Sequence, residues 1–325
     1  MASAKQIFIT GIAGFIGFHV ATALRKRGDR VWGCDNFNAY YSPELKHKRK
    51  AILQQQGIEV HPLDLNDKAA LCTAWNAAPA THCVHLAAQA GVRYSNEHPE
   101  EYVRTNLVGL LSLLDLLREN PSIPLIFASS SSVYGTNRKI PFAEEDITNQ
   151  PASFYGVTKK VGEEIVYQTH RLYGTPCTIL RFFTVYGPWG RPDMAYYSFA
   201  KNIIEGRPIP VFGNGKLLRD STYIDDIIQG ILATIDRKTT WDIFNLGAHH
   251  PHTVLEMIAH LEELLKKKAT LQFLPSPPGD VPITYADIQK SQRELGFFPR
   301  VSLKEGLHRF VDWLLLTGNN FSRLV

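Results

Sequence analysis

The chain has 325 residues, 44 % of them hydrophobic and 20 % charged, the make-up of an ordinary globular protein but more than one hydrophobic core usually serves. Its formal net charge of +4 is too small and too evenly spread for a nucleic-acid partner, which needs a concentrated basic face, and apolar runs such as Ile7 to Ile9 fall far short of the roughly 20 residues that span a bilayer. Residues Met1 to Gln6 run into a strand-like segment without a secretory leader, and Cys34, Cys72, Cys83 and Cys177 lack any Cys-x-x-Cys spacing, so a cytosolic chain with reduced cysteines and no metal is expected.

The first half alternates short β-branched runs with helical patterns: strand Gln6 to Thr10, helix Phe15 to Arg27, strand Arg30 to Cys34, helix Pro43 to Gln55, strand Ile58 to Pro62. The alternation continues through strand His82 to Leu86, helix Glu100 to Glu119, strand Pro124 to Ser129, helix Ser153 to Tyr173 and strand Cys177 to Phe182. This pattern predicts an α/β fold with a doubly wound parallel sheet. Beyond Phe183 the chain is punctuated by Gly187-Pro188-Trp189-Gly190, Gly213-Asn214-Gly215 and Pro275 to Gly279. A smaller, loop-rich second domain over 183–325 is expected beside a first domain over 1–182, with segments near 221–250 returning to the first.

Gly11-Ile12-Ala13-Gly14-Phe15-Ile16-Gly17 lies between the first strand and the first helix. There glycines let the backbone approach a pyrophosphate, and the helix N-terminus offers free N–H groups and the positive end of its dipole. Asp35 follows the second strand, 18 residues after Gly17, where a carboxylate meets the adenosine ribose hydroxyls and repels a 2′-phosphate; NAD is expected over NADP. Asp64-Leu65 would flank adenine, and small residues in Leu86-Ala87-Ala88-Gln89 would let a cofactor lie close. In Tyr155-Gly156-Val157-Thr158-Lys159 the first and last residues share a helix face. A Lys159 ammonium beside the Tyr155 phenol, or on the cofactor ribose, favours the phenolate and makes Tyr155 a general base near neutral pH. Ser129-Ser130-Ser131-Ser132 closes the fifth strand and would bring hydroxyls to the same cleft. By contrast His249-His250-Pro251-His252 lacks the partners of a zinc site, and Leu45-Lys46-His47-Lys48-Arg49-Lys50 reads as a solvated helix face.

Taken in order, Gly-x-x-Gly-x-x-Gly, His-Leu-Ala-Ala, Ser-Ser-Ser-Ser-Val-Tyr-Gly and Tyr-x-x-x-Lys resemble the extended short-chain dehydrogenase/reductases that act on nucleotide sugars, a Rossmann-type family. The resemblance runs over essentially the whole chain. Ala90-Gly91-Val92-Arg93-Tyr94-Ser95, Arg181 to Ala195 and Pro278-Gly279-Asp280-Val281-Pro282 are most similar to UDP-glucuronate 4-epimerases. The resemblance implies Ser130, Tyr155 and Lys159 as catalytic residues. It implies cofactor contacts from the glycine turn (Gly11, Gly14, Phe15, Ile16, Gly17), Asp35, Asn36, Asp64, Leu65, the Leu86 to Gln89 run, Asn106, Ser129 and Val185. For a UDP-sugar it implies Arg93, then Ser131, Ser132, Thr184 and Arg191 toward the sugar carboxylate; Val211 and Phe212 fall on the uracil, Arg219 on the diphosphate, and Asp280 on a ribose or loop contact. Ser221 departs from the pattern, relatives commonly carrying an aromatic there.

The implied activity is NAD-dependent C4 epimerisation of UDP-glucuronate to UDP-galacturonate through a 4-keto sugar. Related dehydratases and decarboxylases place an acid after the catalytic hydroxyl; this chain has Ser131 and Ser132. The competing readings are a UDP-glucose or UDP-N-acetylglucosamine 4-epimerase, in which Arg191 meets no anion, and a non-catalytic NAD sensor, which needs no base. Surplus apolar positions on the helices at 100–119 and 153–173, such as Leu107 and Leu111, and the pairing of these helices in relatives predict a homodimer through a four-helix bundle.

Overall fold

The computed structural model describes residues 4–276 and 279–317; Pro278 of the string quoted above lies outside them, as does the end of the chain after Thr317. The strands are β1 (Gln6–Thr10), β2 (Arg30–Asp35), β3 (Glu59–Pro62), β4 (His82–His85), β5 (Leu125–Ser130), β6 (Cys177–Phe182), β7 (Thr184–Tyr186), β8 (Ile209–Phe212), β9 (Leu218–Tyr223), β10 (Trp241–Leu246), β11 (Pro251–Thr253) and β12 (Leu271–Leu274). Seven of them form one all-parallel sheet in the order β10-β6-β5-β4-β1-β2-β3.

Helices cover both faces, which is why β5 and β6 are buried at every position. The strand period of two sends alternate side chains into two cores. Ile7 and Ile9 of β1 and Leu180 and Phe182 of β6 pack on one side, while Phe8, Cys177 and Ile179 pack on the other. Strand order reverses between β1 and β4, so the crevice beyond their carboxyl ends is the natural ligand position.

The remaining strands make a three-stranded sheet, β11-β9-β7, and the pair β12-β8. Strand β10, far along the chain, returns to the edge of the large sheet beside β6. Cys34, Cys83 and Cys177 are buried, Cys72 is exposed, and none is bridged. Among the described residues no helix is long and apolar enough to cross a membrane.

Three local expectations change. The expected helix Glu100 to Glu119 consists of Pro99–Tyr102, a π-helical turn over Val103–Val108, and Gly109–Glu119. The wide turn presents Asn106 inward, where its Oδ1 accepts from Gln89 N (2.7 Å) and its Nδ2 donates to Gln89 O (3.0 Å) and Thr158 Oγ1 (2.9 Å). Asn106 therefore anchors the Gln89 backbone instead of lining the cleft. Second, Lys46 and Arg49 are buried, so the basic run on helix Pro43–Gln55 is not a solvated face. Third, Val211 points into the core with Ile209, while Pro210 and Phe212 take the cleft side of β8. The two-residue alternation turns Val211 away from the cleft and puts its neighbours Pro210 and Phe212 on the cleft side.

One carboxylate ties the second layer together. Asp220 of β9 is fully buried and accepts from the backbone N–H groups of Ala248 (2.7 Å), His249 (3.1 Å) and Ala286 (2.9 Å). Asp220→Ala strands three buried donors, each worth roughly 1–3 kcal/mol when unpaired. We expect a loss of about 3 kcal/mol or more in urea unfolding, with Asp220→Asn intermediate because one amide oxygen still accepts.

Candidate active site

A cleft of about 670 Å³ opens at the strand-order reversal and runs from the glycine turn to Phe212 and Arg219, a size suited to small-molecule ligands. At one end Gly11 adopts φ +70°, and a Cβ there would stand 2.7 Å from Ala87 N. A Cβ on Gly17 would stand 2.1 Å from Gly11 O. Strand β1, the turn and the Leu86 to Ala88 run are thus packed backbone against backbone, which only glycine permits. Helix Phe15–Arg27 starts without a side-chain cap or an acid in its first turn, leaving its N–H groups to a ligand.

Asp35 accepts from Ala13 N (3.1 Å) and Phe37 N (2.9 Å), and Asn36 Nδ2 donates to Asp64 Oδ2 (3.2 Å). Together with Leu65 and Leu86 to Gln89 these residues line the same end. Gln89 Nε2 is buried with no partner among the described residues. An uncapped helix start, a turn that excludes side chains and an orphaned amide donor fit a dinucleotide cofactor such as NAD.

Mid-cleft, helix Phe154–Tyr173 begins at Ser153, whose Oγ accepts from Gly156 N (3.1 Å), and ends at Gly174 in the left-handed region. Its first turns carry Tyr155 and Lys159. Burial raises the pKa of the Tyr155 phenol; a hydrogen bond from Ser130 and the charge of Arg191 pull it back. Lys159 Nζ donates to Ala128 O (2.8 Å) and lies 6.0 Å from the Tyr155 ring centre. Burial lowers the Lys159 ammonium to about 8, while the Glu163 carboxylate raises it. Ser130 Oγ accepts from Ser132 N (3.1 Å), so the turn Ser131–Tyr134 is built around this hydroxyl. Ser129 lines the cleft, yet its hydroxyl donates to Glu163 Oε1 (2.5 Å).

Glu163 also takes a bidentate pair from Arg181, Nε at 2.9 Å and Nη2 at 2.8 Å, both side chains being buried. This network escaped the sequence reading. A cation inside the apolar strand Cys177–Phe182 was the available signal, since a buried charge demands a partner.

Toward the other end stand Ser131, Ser132, Thr184, Val185 and Arg191. Asp193 holds the Arg191 guanidinium through Nε (3.1 Å) and Nη2 (2.5 Å), and Tyr40 donates to Asp193 Oδ2 (3.1 Å). Neither Asp193 nor Tyr40 was foreseen. Arg191 thus arrives already oriented by Asp193. Arg93 lies over the Phe212 ring at 4.2 Å, and Arg219 is ion-paired with Asp280. Ser221, the departure noted above, is buried in β9, its hydroxyl without a partner among the described residues, and does not line the cleft.

Residues 8–310 match the family model described as GDP-mannose 4,6 dehydratase. UDP-glucuronate 4-epimerase 1 of Arabidopsis thaliana is 49 % identical over 95 % of this chain and 76 % of its own length. A probable UDP-glucuronate 4-epimerase of Rhizobium meliloti is 42 % identical over 95 % of this chain and 96 % of its own. The crystal structure of UDP-glucuronic acid 4-epimerase from Bacillus cereus, in complex with UDP-glucuronic acid and NAD, superposes with a TM-score of 0.89 at 35 % identity, covering 96 % of this chain and 99 % of that one. With its parallel sheet, glycine turn and Ser130-Tyr155-Lys159 cleft, the chain belongs to the extended short-chain dehydrogenase/reductase family, among the UDP-glucuronate 4-epimerases.

Proposed function

We propose that the protein interconverts UDP-glucuronate and UDP-galacturonate by NAD-dependent inversion at C4. The observation that carries this reading is one cleft in which Tyr155, Ser130 and Lys159 face the preset Arg191, with serines where a lyase-type relative carries an acid. Residues 1–182 would supply mainly the cofactor half and the chain beyond 183 mainly the sugar half. NAD, when bound, supplies the acceptor that takes the C4 hydride and gives it back.

Tyr155 removes the C4 hydroxyl proton, and Ser130 hydrogen-bonds the oxygen that loses it. The Ser130 hydrogen bond and the Arg191 cation favour the phenolate against the burial that opposes it, and Lys159, 6.0 Å from the ring centre, would add its charge. The resulting 4-keto uronate is a β-keto acid, which loses CO₂ once the C5–C6 bond aligns with the carbonyl π system. Ser131, Ser132, Thr184 and Arg191 hold the carboxylate out of that alignment. With no acid beside Ser130 to move the C5 proton, the ketosugar turns over and is reduced on its opposite face. Arg93 and Phe212 receive the uracil end and Arg219 the diphosphate.

We read the compartment as the cytosol, which keeps Cys34, Cys72, Cys83 and Cys177 reduced. A homodimer is supported by exposed Val103, Val108 and Leu111 next to exposed Val157 and Val161 of the catalytic helix, an apolar band that a partner copy would cover. Sedimentation at micromolar concentration should give twice 36.6 kDa; a species of 36.6 kDa alone rejects the dimer.

Two substitutions test the chemistry. Tyr155→Phe should cut conversion of UDP-glucuronate by roughly 10²- to 10⁴-fold while NAD still binds; near-normal turnover, read by chromatography of the products, removes Tyr155 from its role. Arg191→Ala should weaken UDP-glucuronate binding by one to two decades, from the ~1.5–3 kcal/mol of a charge-assisted contact, and release CO₂ with a UDP-4-keto-pentose. An equal loss on UDP-glucose would mean that Arg191 does not read the carboxylate and would favour a UDP-hexose epimerase.

A further inference from the structure

Lys46 is a buried cation that the reaction described above does not use. It stands on helix Pro43–Gln55, is 5 % exposed, and lines the cleft in company with Gly11, Gly14 and Phe15. Its Nζ donates to Asn38 O (2.8 Å) and Asn38 Oδ1 (2.7 Å) and sits 4.6 Å from the Tyr41 ring centre. Among the described residues no carboxylate lies within ion-pair distance of it. Asp35, the one acid that acts on it appreciably, already spends its two oxygens on the N–H groups of Ala13 and Phe37.

Its other charged neighbours make matters worse. Arg49, one turn later on the same helix, and Arg191 both repel it, and burial brings the ammonium down to about 8 despite the pull of Asp35. A buried ammonium with two neutral acceptors and two cations nearby is short of negative charge. The helix is meanwhile fastened to the phosphate-binding turn itself, Arg49 Nη1 donating to Ala13 O (3.0 Å). The missing charge therefore has to come from the cleft, at its glycine-turn end.

We propose that Lys46 is a ligand of the cofactor's diphosphate, supplying the charge that complements the neutral N–H groups of the glycine turn. This assignment rests on the NAD reading and adds to it a residue from outside the Rossmann motif. The chemistry recognised is a phosphate oxygen, and the cleft offers three sources of one. The substrate diphosphate belongs at the far end, with Arg219 and Arg93. A 2′-phosphate would meet the Asp35 carboxylate. The dinucleotide's own bridge satisfies the ammonium without either conflict.

The test is calorimetric titration of nucleotide-stripped wild type, Lys46→Gln and Lys46→Arg with NAD, ADP-ribose, adenosine, NADP and UDP. Lys46→Gln should bind NAD and ADP-ribose roughly 10- to 100-fold more weakly, with adenosine and UDP within twofold and much of the loss recovered in Lys46→Arg. Without ligand, Lys46→Gln should melt no lower than wild type, since it removes an uncompensated charge. An unchanged NAD affinity, or an equal loss for adenosine, overturns the proposal. A loss confined to NADP overturns it in favour of a 2′-phosphate contact, and one confined to UDP in favour of the substrate. If wild type itself binds neither NAD nor ADP-ribose, the cofactor reading falls first and the Lys46 assignment with it.

Discussion

Everything at the reactive centre hangs on the buried ion pair between Arg181 and Glu163. Glu163 belongs to the helix that carries Tyr155 and Lys159, Arg181 to β6, one strand in from the edge of the large sheet, and the Ser129 hydroxyl that closes the trio belongs to the strand that delivers Ser130. Arg181 Nη1 also donates to Tyr134 Oη (3.0 Å), and Tyr134 to Asn245 of β10 (2.7 Å). Two strands, the helix Phe154–Tyr173 and the returning strand β10 are held in one register by this buried network. Such a pair adds little net stability against a well-packed apolar substitute, but breaking it is costly. Its value lies in geometry, because a base and its hydroxyl partner misplaced by an ångström lose much of their effect.

A second constraint is crowding. The glycine turn, the Leu86 to Ala88 backbone and helix Phe15–Arg27 meet where no Cβ fits, and the space denied to side chains is the space a pyrophosphate would occupy. Charge follows the same division. Mid-cleft Lys159 has its charge met by Glu163, farther along Arg191 is met by Asp193 and Arg219 by Asp280, whereas Lys46 at the glycine-turn end has no carboxylate within ion-pair distance among the described residues.

Much of this was legible in the sequence because the parallel sheet writes itself plainly. Both faces are covered, so strands read as apolar runs such as Gln6–Thr10, and the helices between them carry clean start and stop signals, Ser153 and Gly174 among them. The second layer was less legible. Helices Ala195–Glu205 and Leu303–Thr317 and strands β11 and β12 went unassigned, since three- and four-residue strands carry too few positions for a period to show. The π turn at Val103–Val108 is invisible to a 3.6-residue pattern, and Val211 was misplaced by a single step of a two-residue alternation. Lys46 and Arg49 were misread for a different reason. Composition marks a basic run as surface, and only tertiary packing shows that two of its cations turn inward to backbone carbonyls and the cleft.

The loop after β2 does two jobs at once. It begins at Asp35 and Asn36 at the nucleotide end of the cleft, and five residues on from Asp35 it places Tyr40 against Asp193, which sets the Arg191 guanidinium. One short segment therefore touches both ends of the cleft. By thermodynamic reciprocity, whatever ordering of this loop one ligand brings is felt by the other as the same factor in affinity. A dinucleotide that settled the loop would lower the entropy left for a sugar nucleotide to remove, coupling the two halves of the cleft without any contact between their ligands.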